Sequence, residues 1–466
     1  MEVLLTPAEM ARADAAAIAG GIPGIVLMEA AGRAVARAAM RRFRPVRTLV
    51  LAGPGNNGGD GWVAARLLED AGWPVAVAPL APPRPGSDAA LAAARWRGPV
   101  VPFSAAEAAR AGLVIDAVFG AGLSKPVEGL AGEVLSGLRA PVLAVDVPSG
   151  VDGATGAVLG VAPRAALTVT FFRRKPGHLL FPGRGLCGET VLAEIGLPAS
   201  VLAGIAPRAW RNGPGLWRIP RPGPESHKYA RGHVGVAAGA GMTGAARLVA
   251  AGARRAGAGL LSVAAPDAAT GAVLRAGDPG VFVSEDRAAL LADPRITTWV
   301  VGPGMPADGG TVALLREMVA AGRRVVADAG ALRAATGNPA ALAGCAILTP
   351  HAGEFAAVFG PPGEDRPAAV RAAAAATGAV VVLKGADTLV AAPDGRLAIN
   401  DNAPPWLATG GTGDVLAGIA AGLPPFEAAA AAAYLHGEAA RLAGPGMLAE
   451  DLTVTVAHAL ATLCGD

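Results

Sequence analysis

Two short glycine-rich runs, one in each half of the 466-residue chain, place a carboxylate where a strand or loop hands over to a helix. The first is Gly53-Pro54-Gly55-Asn56-Asn57-Gly58-Gly59-Asp60-Gly61, directly behind the apolar run Thr48 to Ala52. The second is Thr409-Gly410-Gly411-Thr412-Gly413-Asp414, directly ahead of the apolar run Val415 to Leu423. Glycine lets main-chain N–H groups approach a ligand closely, and a helix start turns those groups and its dipole toward an anion. Two such places predict two phosphate-bearing ligands and two chemistries.

The second run carries the sharper signal. A base beside an anion hole is what phosphoryl transfer to an alcohol requires: Asp414 takes the hydroxyl proton while backbone dipoles hold the moving phosphoryl group. Lys384-Gly385-Ala386-Asp387-Thr388 ends an apolar run and can cradle a nucleotide phosphate. Leu348-Thr349-Pro350-His351-Ala352-Gly353-Glu354-Phe355 puts a histidine in a polar turn, and Gly302-Pro303-Gly304 and Asp328-Ala329-Gly330 end two further apolar runs.

The first run is not the dinucleotide fingerprint GxGxxG, and no acidic residue stands at the expected later strand end. Downstream lie Asp116-Ala117-Val118-Phe119-Gly120-Ala121-Gly122-Leu123 and Val145-Asp146-Val147-Pro148-Ser149-Gly150. Asn57, Asp116 and Ser149 form an all-oxygen set suited to a monovalent or alkaline-earth ion rather than zinc. Taken singly, each motif also reads as a strand-end turn with a capping Asx residue.

To hold these residues, the chain needs two alternating series of strands and helices. Thr6-Pro7-Ala8-Glu9 is a capping signal, predicting a helix to about Ala19, with a second through Leu27-Met28-Glu29 to about Arg42. Apolar runs then predict strands at Thr48–Ala52, Val75–Pro79, Leu113–Val118, Pro141–Val147, Leu167–Phe171 and Thr190–Ala193, with helices at Gly61–Ala71, Asp88–Arg97 and Leu130–Leu138. The pattern stops between Leu197 and Arg231, where Pro and Gly accumulate. It resumes with strands at His233–Ala238, Leu260–Ala264, Thr297–Val301, Arg324–Ala327, Ala346–Leu348 and Ala379–Leu383. Helices are expected near Ala245–Arg255, Thr311–Ala321, Pro367–Ala376, Val415–Gly422, Phe426–Leu442 and Thr453–Leu463. Continuous apolar strands separated by helices imply parallel sheets covered on both faces, an α/β chain of two doubly wound domains. Ligands of such sheets sit beyond the carboxyl ends of the strands. The expected domains are 1–205 and 223–466, joined by a linker over 206–222.

Composition narrows the partners. Apolar residues make up 52% and aromatics 4%, which fits a large core of Ala, Val and Leu. A net charge of +3, with basic residues scattered, argues against nucleic acid. No apolar stretch is long enough to cross a membrane, and no targeting segment is evident. Three distant cysteines, Cys187, Cys345 and Cys464, read as reduced, which points to the cytoplasm. Arginine greatly outnumbers lysine, and three of the four lysines (Lys125, Lys175, Lys384) fall in or beside the motifs named here. A chain that otherwise chooses Arg uses Lys where a compact point charge is needed.

The series LMEAAG, GPGNNGGDG, DAVFGAG, VDVPSG and TFFRRKPGH resembles the NAD(P)H-hydrate epimerase domain over essentially residues 1–200. The resemblance implies a Rossmann-like fold binding NADHX or NADPHX. On that reading Asn56, Asn57, Gly58, Gly59 and Asp60, with Gly120, Ala121, Gly122, Leu123, Ser124, Lys125 and Pro126, contact the substrate. Asn57, Asp116 and Ser149 hold K+, and Asp146 sits near the reacting centre. C6 of the hydrated nicotinamide bears a hydroxyl beside a ring nitrogen, so it can invert by losing and regaining the hydroxyl or by ring opening. Both routes need a group that moves a proton, with Asp146 the expected one and Lys175 its electrostatic support.

HKYARGHVGVAAGAGMTGAARL, VGPG, LTPHAGEF, KGADTLV and ATGGTGDVLAG resemble the ribokinase-like superfamily, and specifically ADP-dependent (S)-NAD(P)H-hydrate dehydratase, over about 220–466. The resemblance implies that ADP phosphorylates the C6 hydroxyl and that loss of phosphate restores the dihydropyridine. Ala245, Gly304, His351 and Asp414 then contact the hydrate, while Lys384, Gly385, Ala386, Asp387, Thr388 and Gly413 contact the nucleotide. Asp414 is the base and Mg2+ the expected counter-charge. The resemblance also implies a homo-oligomer. Two alternatives stand beside it: a vitamin-precursor kinase, which shares the Gly-Thr-Gly-Asp geometry, and a non-catalytic first half that regulates the second. Phosphates look alike to the loop, so the residues do not separate ADP from ATP.

Overall fold

The computed structural model describes residues 1–422 and 425–465, so Leu423, the end of the apolar run behind Asp414, and Asp466 lie outside the described residues, as does the side chain of Phe426. The chain divides into two compact units, Val3–Ala209 and Trp210–Asp466, with Met1–Glu2 joined to the second.

In the first unit six strands run, edge to edge, Val75–Pro79, Thr48–Ala52, Leu113–Ala117, Val142–Val145, Leu167–Phe171 and Glu189–Ala193. Every pairing is parallel. The four central strands are buried along their whole length, as a sheet covered on both faces demands. The capping box at Thr6 and Glu9 opens the helix Pro7–Ala19, and a second helix spans Gly24–Arg42.

One expected loop is helix. The helix predicted from Gly61 begins at Asn56 and runs to Asp70. Its glycines let it lie against the sheet: a Cβ on Gly61 would come within 2.6 Å of Ala117 Cβ, and one on Gly58 within 1.8 Å of the Gly53 carbonyl oxygen. Gly58 and Gly59 are buried packing positions, against Gly53 and Met28, whatever their main-chain N–H groups meet.

The second unit's sheet runs Ala209–Arg211, Leu397–Asn400, Thr388–Ala391, Val380–Leu383, Ile347–Leu348, Arg324–Ala327, Ile296–Val301, His233–Ala237, Leu260–Ala264 and Phe282–Ser284. Pairing is parallel from Val380–Leu383 through to Phe282–Ser284. Thr388–Ala391 and Leu397–Asn400 are antiparallel additions absent from the sequence expectation. Lys384–Thr388 is thus a turn into an antiparallel strand rather than a strand end feeding a helix.

The expected linker is also partly fold. Trp217 is buried in the second unit's apolar core and donates from Nε1 to Asn212 Oδ1 at 3.0 Å. Asn212 in turn donates to Asn400 Oδ1 and the Ala430 carbonyl. Proline and glycine concealed a packed segment. Among the described residues no helix is long and apolar enough to cross a membrane.

The helix that carries the second glycine run, Thr412–Ala421, crosses Thr243–Arg255 at very close range. Gly418 faces the Val249 carbonyl, and Gly252 faces that of Val415, so a Cβ on either would fall within 2.5 Å of an oxygen. Backbone-on-backbone packing of this kind fixes the helix start that has to meet a ligand.

Candidate active sites

In the first unit a cavity of about 820 Å3 opens at the carboxyl edge of the sheet. Asn56, Asn57 and Asp60 line it, as do Gly120, Ala121, Gly122, Leu123, Ser124, Lys125, Pro126, Asp146 and Lys175. Most of the residues expected to meet the substrate therefore share one space. Gly58 and Gly59 do not line it, for the packing reason given above.

Asp146 forms the cavity's most constrained corner. Its backbone has φ +66°, a left-handed geometry that costs a non-glycine residue of order 1 kcal/mol or more. Compensation comes from the neutral ring of His178, whose Nδ1 accepts from the Lys175 N–H and whose Nε2 therefore donates to the Asp146 carbonyl at 2.7 Å. Burial holds the His178 pKa down to about 4. The Asp146 carboxylate accepts from Lys175 Nζ at 2.6 Å, from Thr170 Oγ1 at 2.9 Å and from the Ala121 N–H at 3.0 Å. Burial alone would raise its pKa, yet the Lys175 ammonium and these donors bring it down to about 2. Asp146 is thus held as an anion with its oxygens already engaged.

Behind the cavity wall, Ser149 Oγ donates to Asp116 Oδ1 at 2.6 Å and its N–H to Oδ2 at 2.8 Å, while Ser149 Oγ accepts from the Phe119 N–H. Burial raises the Asp116 pKa despite those donors. Asn57 Nδ2 is buried with no hydrogen-bond partner, and a Cβ on Gly120 would fall 3.0 Å from Asn57 Oδ1. The oxygens of Asn57, Asp116 and Ser149, gathered around a buried carboxylate, are the donor type that suits a monovalent cation, whereas the unpaired Asn57 Nδ2 would need an acceptor. Among the described residues no cluster of three His, Cys, Asp or Glu could hold a metal ion.

In the second unit, the Thr412–Ala421 helix begins behind Gly411, at φ +87°, where a Cβ would strike Leu248. The N–H groups of a helix's first turn have no partner within the helix. Thr412 is clamped by its hydroxyl, which donates to the Thr409 carbonyl at 2.9 Å, and by His436 Nε2, 2.8 Å from its own carbonyl. The Lys384 ammonium borders this turn: a Cβ on Gly413 would lie 3.2 Å from Nζ. Lys384 Nζ donates to buried Asp328 at 2.8 Å, with Glu354 at 3.9 Å. Burial, reinforced by the negative charge of Asp328 and opposed by Lys384, raises the Asp414 pKa to about 6. A half-buried carboxylate that titrates near neutrality stands beside free N–H donors and an ammonium, the combination needed to deprotonate an alcohol while holding a phosphoryl group.

Two family models match the chain: "NAD(P)H-hydrate dehydratase" over residues 234–460 and "YjeF-related protein N-terminus" over 24–177. Curated relatives named bifunctional NAD(P)H-hydrate repair enzyme Nnr match across both units. That of Pyrobaculum aerophilum is 38% identical, covering 96% of this chain and 94% of its own; that of Moorella thermoacetica is 35% identical, covering 99% and 97%. The chain belongs to the bifunctional NAD(P)H-hydrate repair enzyme family. A solved Bacillus subtilis ADP/ATP-dependent NAD(P)H-hydrate dehydratase is 29% identical with a TM-score of 0.47, covering 54% of this chain and 96% of that one.

Within the repair-enzyme frame the remaining expected residues sort by position. The turn at Gly304 packs on the Met242 carbonyl at the foot of the helix that holds buried Ala245, so the two stand close together. His351 is exposed and caps its helix, Nδ1 accepting from the Gly353 and Glu354 N–H groups. It lies beside Lys384, whose N–H donates to the Pro350 carbonyl. Gly385 and Ala386 are exposed. The Asp387 carboxylate is buried and held by Arg366 through two hydrogen bonds of 2.7 and 2.5 Å, so the side chain is already engaged. The Thr388 hydroxyl turns inward to the Gly385 carbonyl at 2.9 Å. Four polar residues in or beside these two places lay outside the expected set. Asp14 and His436 carried no signal beyond isolated polar positions on apolar helices. His178 and Glu354 stood inside motifs whose other residues drew the reading.

Proposed function

We propose that the first unit interconverts the R and S forms of NAD(P)HX and that the second dehydrates the S form at the expense of ADP, giving NAD(P)H, AMP and phosphate. The arrangement of Asp414, the Thr412–Gly413 amides and the Lys384 ammonium carries the reading. Asp414 takes the C6 hydroxyl proton as the oxygen attacks the β-phosphorus of ADP, and the N–H groups with Lys384 hold the charge that gathers on the phosphoryl oxygens. AMP departs. The phosphate ester at C6 then leaves with the C5 proton, and the ring double bond returns.

Support for the epimerising half comes from the cavity, where the Asp146–Lys175 pair offers a fixed charge to a ring whose C6 must invert. In this reading Asn57, Asp116 and Ser149 hold K+, which would neutralise a carboxylate that burial otherwise penalises. Asp328 is already engaged by Lys384, so Mg2+ would enter with the nucleotide phosphates rather than into a ready-made cage.

The test supplies the full chain with S-NADHX and either ADP or ATP and follows recovery of NADH absorbance. R-NADHX without nucleotide is followed separately by resolving the two epimers. Recovery that depends on ADP, with R converting to S, is the expected result. No recovery with either nucleotide would overturn the dehydratase half.

A further inference from the structure

The Asp146 carboxylate has its oxygens occupied by Lys175, Thr170 and the Ala121 N–H, so the anion best placed by sequence cannot readily accept a proton. The same cavity has another carboxylate on a different element. Asp14, on the helix Pro7–Ala19, lines it together with Asp60, Asp146 and Lys175. Resting on the epimerase reading above, we propose that Asp14 carries the proton during epimerisation, and that the Asp146–Lys175 pair orients the ring without titrating.

The chemistry closes with one carboxylate. Ionised Asp14 takes the C6 hydroxyl proton; the C6–N1 bond breaks as the carbonyl forms, and N1 receives that proton. Rotation about C5–C6 presents the other carbonyl face. N1 attacks it and returns its proton through Asp14 to the oxygen, so no oxidant, reductant or net proton is consumed.

The environments support this division. Burial raises the Asp14 pKa to about 6, with Lys175 opposing and Asp146 adding to the rise, and no hydrogen bond to the carboxylate contributes. The charged groups acting on it are Asp60 from the helix Asn56–Asp70, Asp146 from the turn after Val142–Val145, and Lys175 beyond Leu167–Phe171, and Asp88 and Lys125 line the same cavity. The helix Val201–Ile205, which packs on Pro7–Ala19, has no titratable side chain. Burial, with the negative charges of Asp146 and Asp14 adding and Lys175 opposing, raises the Asp60 pKa well above the ordinary carboxylate value, so Asp60 is a weaker candidate for the ionised base. Two carboxylates driven apart by their surroundings mark the fixed charge and the proton carrier.

The experiment measures epimerisation of R-NADHX by full-length protein across pH 4.5 to 8.5 (roughly the span around the titration) for wild type, Asp14→Asn, Asp14→Glu and Asp146→Asn. Wild-type kcat should fall below about pH 6, where Asp14 becomes protonated. D14N should lose about 100-fold in kcat, keep KM and lose the inflection, while D14E recovers part of the rate. The proposal is overturned if D14N keeps its kcat or its inflection, if the loss lies in KM alone, or if D14E is no better than D14N. An inflection lost in D146N but kept in D14N would give the proton to Asp146. Wild type that dehydrates S-NADHX yet never epimerises R-NADHX would instead defeat the reading of the cavity.

Discussion

Both units pair lysine with aspartate at the carboxyl edge of a parallel sheet, and the outcomes differ. In the first, Lys175 bonds the candidate residue itself, and Asp146 is driven down to about 2. In the second, Lys384 is engaged by Asp328, and the neighbouring Asp414 rises to about 6. The identity of the lysine's partner decides whether a buried carboxylate is a permanent anion or a usable base. The motif that contains the aspartate does not decide it.

The largest effect that would break this comparison belongs to Asp414→Asn. Loss of the base should lower kcat for ADP-driven dehydration by about 1,000-fold, within the range for general-base catalysis, with R–S interconversion as the internal control. A loss under tenfold would mean that Asp414 is not the base.

Lys175→Met tests the other side. It strands a buried carboxylate, and breaking such a pair should cost about 3 kcal/mol, read as a lower midpoint in denaturant for the first unit. The sign follows from the pKa: Asp146 titrates at about 2 against an ordinary 3.8, so the pair's contribution is present above pH 4 and is lost as pH falls toward 2. Lys175→Met that left stability untouched would show that the pair does not hold Asp146.

These lysines also show how far the sequence reached. Apolar runs located nearly every central strand to within a residue or two, because a strand buried on both faces carries few polar residues to blur it. Asp414, Lys384 and Lys175 stood out through residue type and spacing. What stayed hidden was the use to which a residue is put. Asp387 sits in a nucleotide-like motif but is spent on Arg366, and Gly58 and Gly59 serve helix packing. Neither is readable without knowing which element lies opposite. The Thr388–Ala391 and Leu397–Asn400 strands escaped because they are short and lack a helix between them.

A sharper comparison comes from pH. Asp414 must be ionised to take a proton, so dehydration kcat should drop about tenfold for each unit below pH 6. Moving the lysine's attachment should move that inflection. In Asp328→Asn the ammonium is released from its partner and a negative neighbour of Asp414 is removed, so the inflection should shift to lower pH. A dehydration profile flat from pH 5 to 7 (about one unit either side of the expected midpoint) would refute the assignment.

The smallest effect concerns His436, which touches no ligand site directly. Burial lowers its pKa to about 4, so the ring is neutral at pH 7, and facing the Thr412 carbonyl at 2.8 Å it must carry its proton on Nε2. In a trans peptide the carbonyl and the following N–H point opposite ways. Anchoring the Thr412 carbonyl inside the protein therefore aims the Gly413 N–H outward, to where the proposed function holds the phosphoryl group. Without that anchor the amide is still helical but less fixed, and one buried hydrogen bond is worth about 1 kcal/mol. His436→Ala should lower dehydration kcat by roughly fivefold to tenfold while leaving KM for the hydrate near its original value. His436→Asn, whose amide N–H can still donate, should keep more of the rate. If both variants lost rate only in proportion to their loss of folded protein, His436 would be a packing residue and the aim of the Gly413 amide would be set by the helix alone.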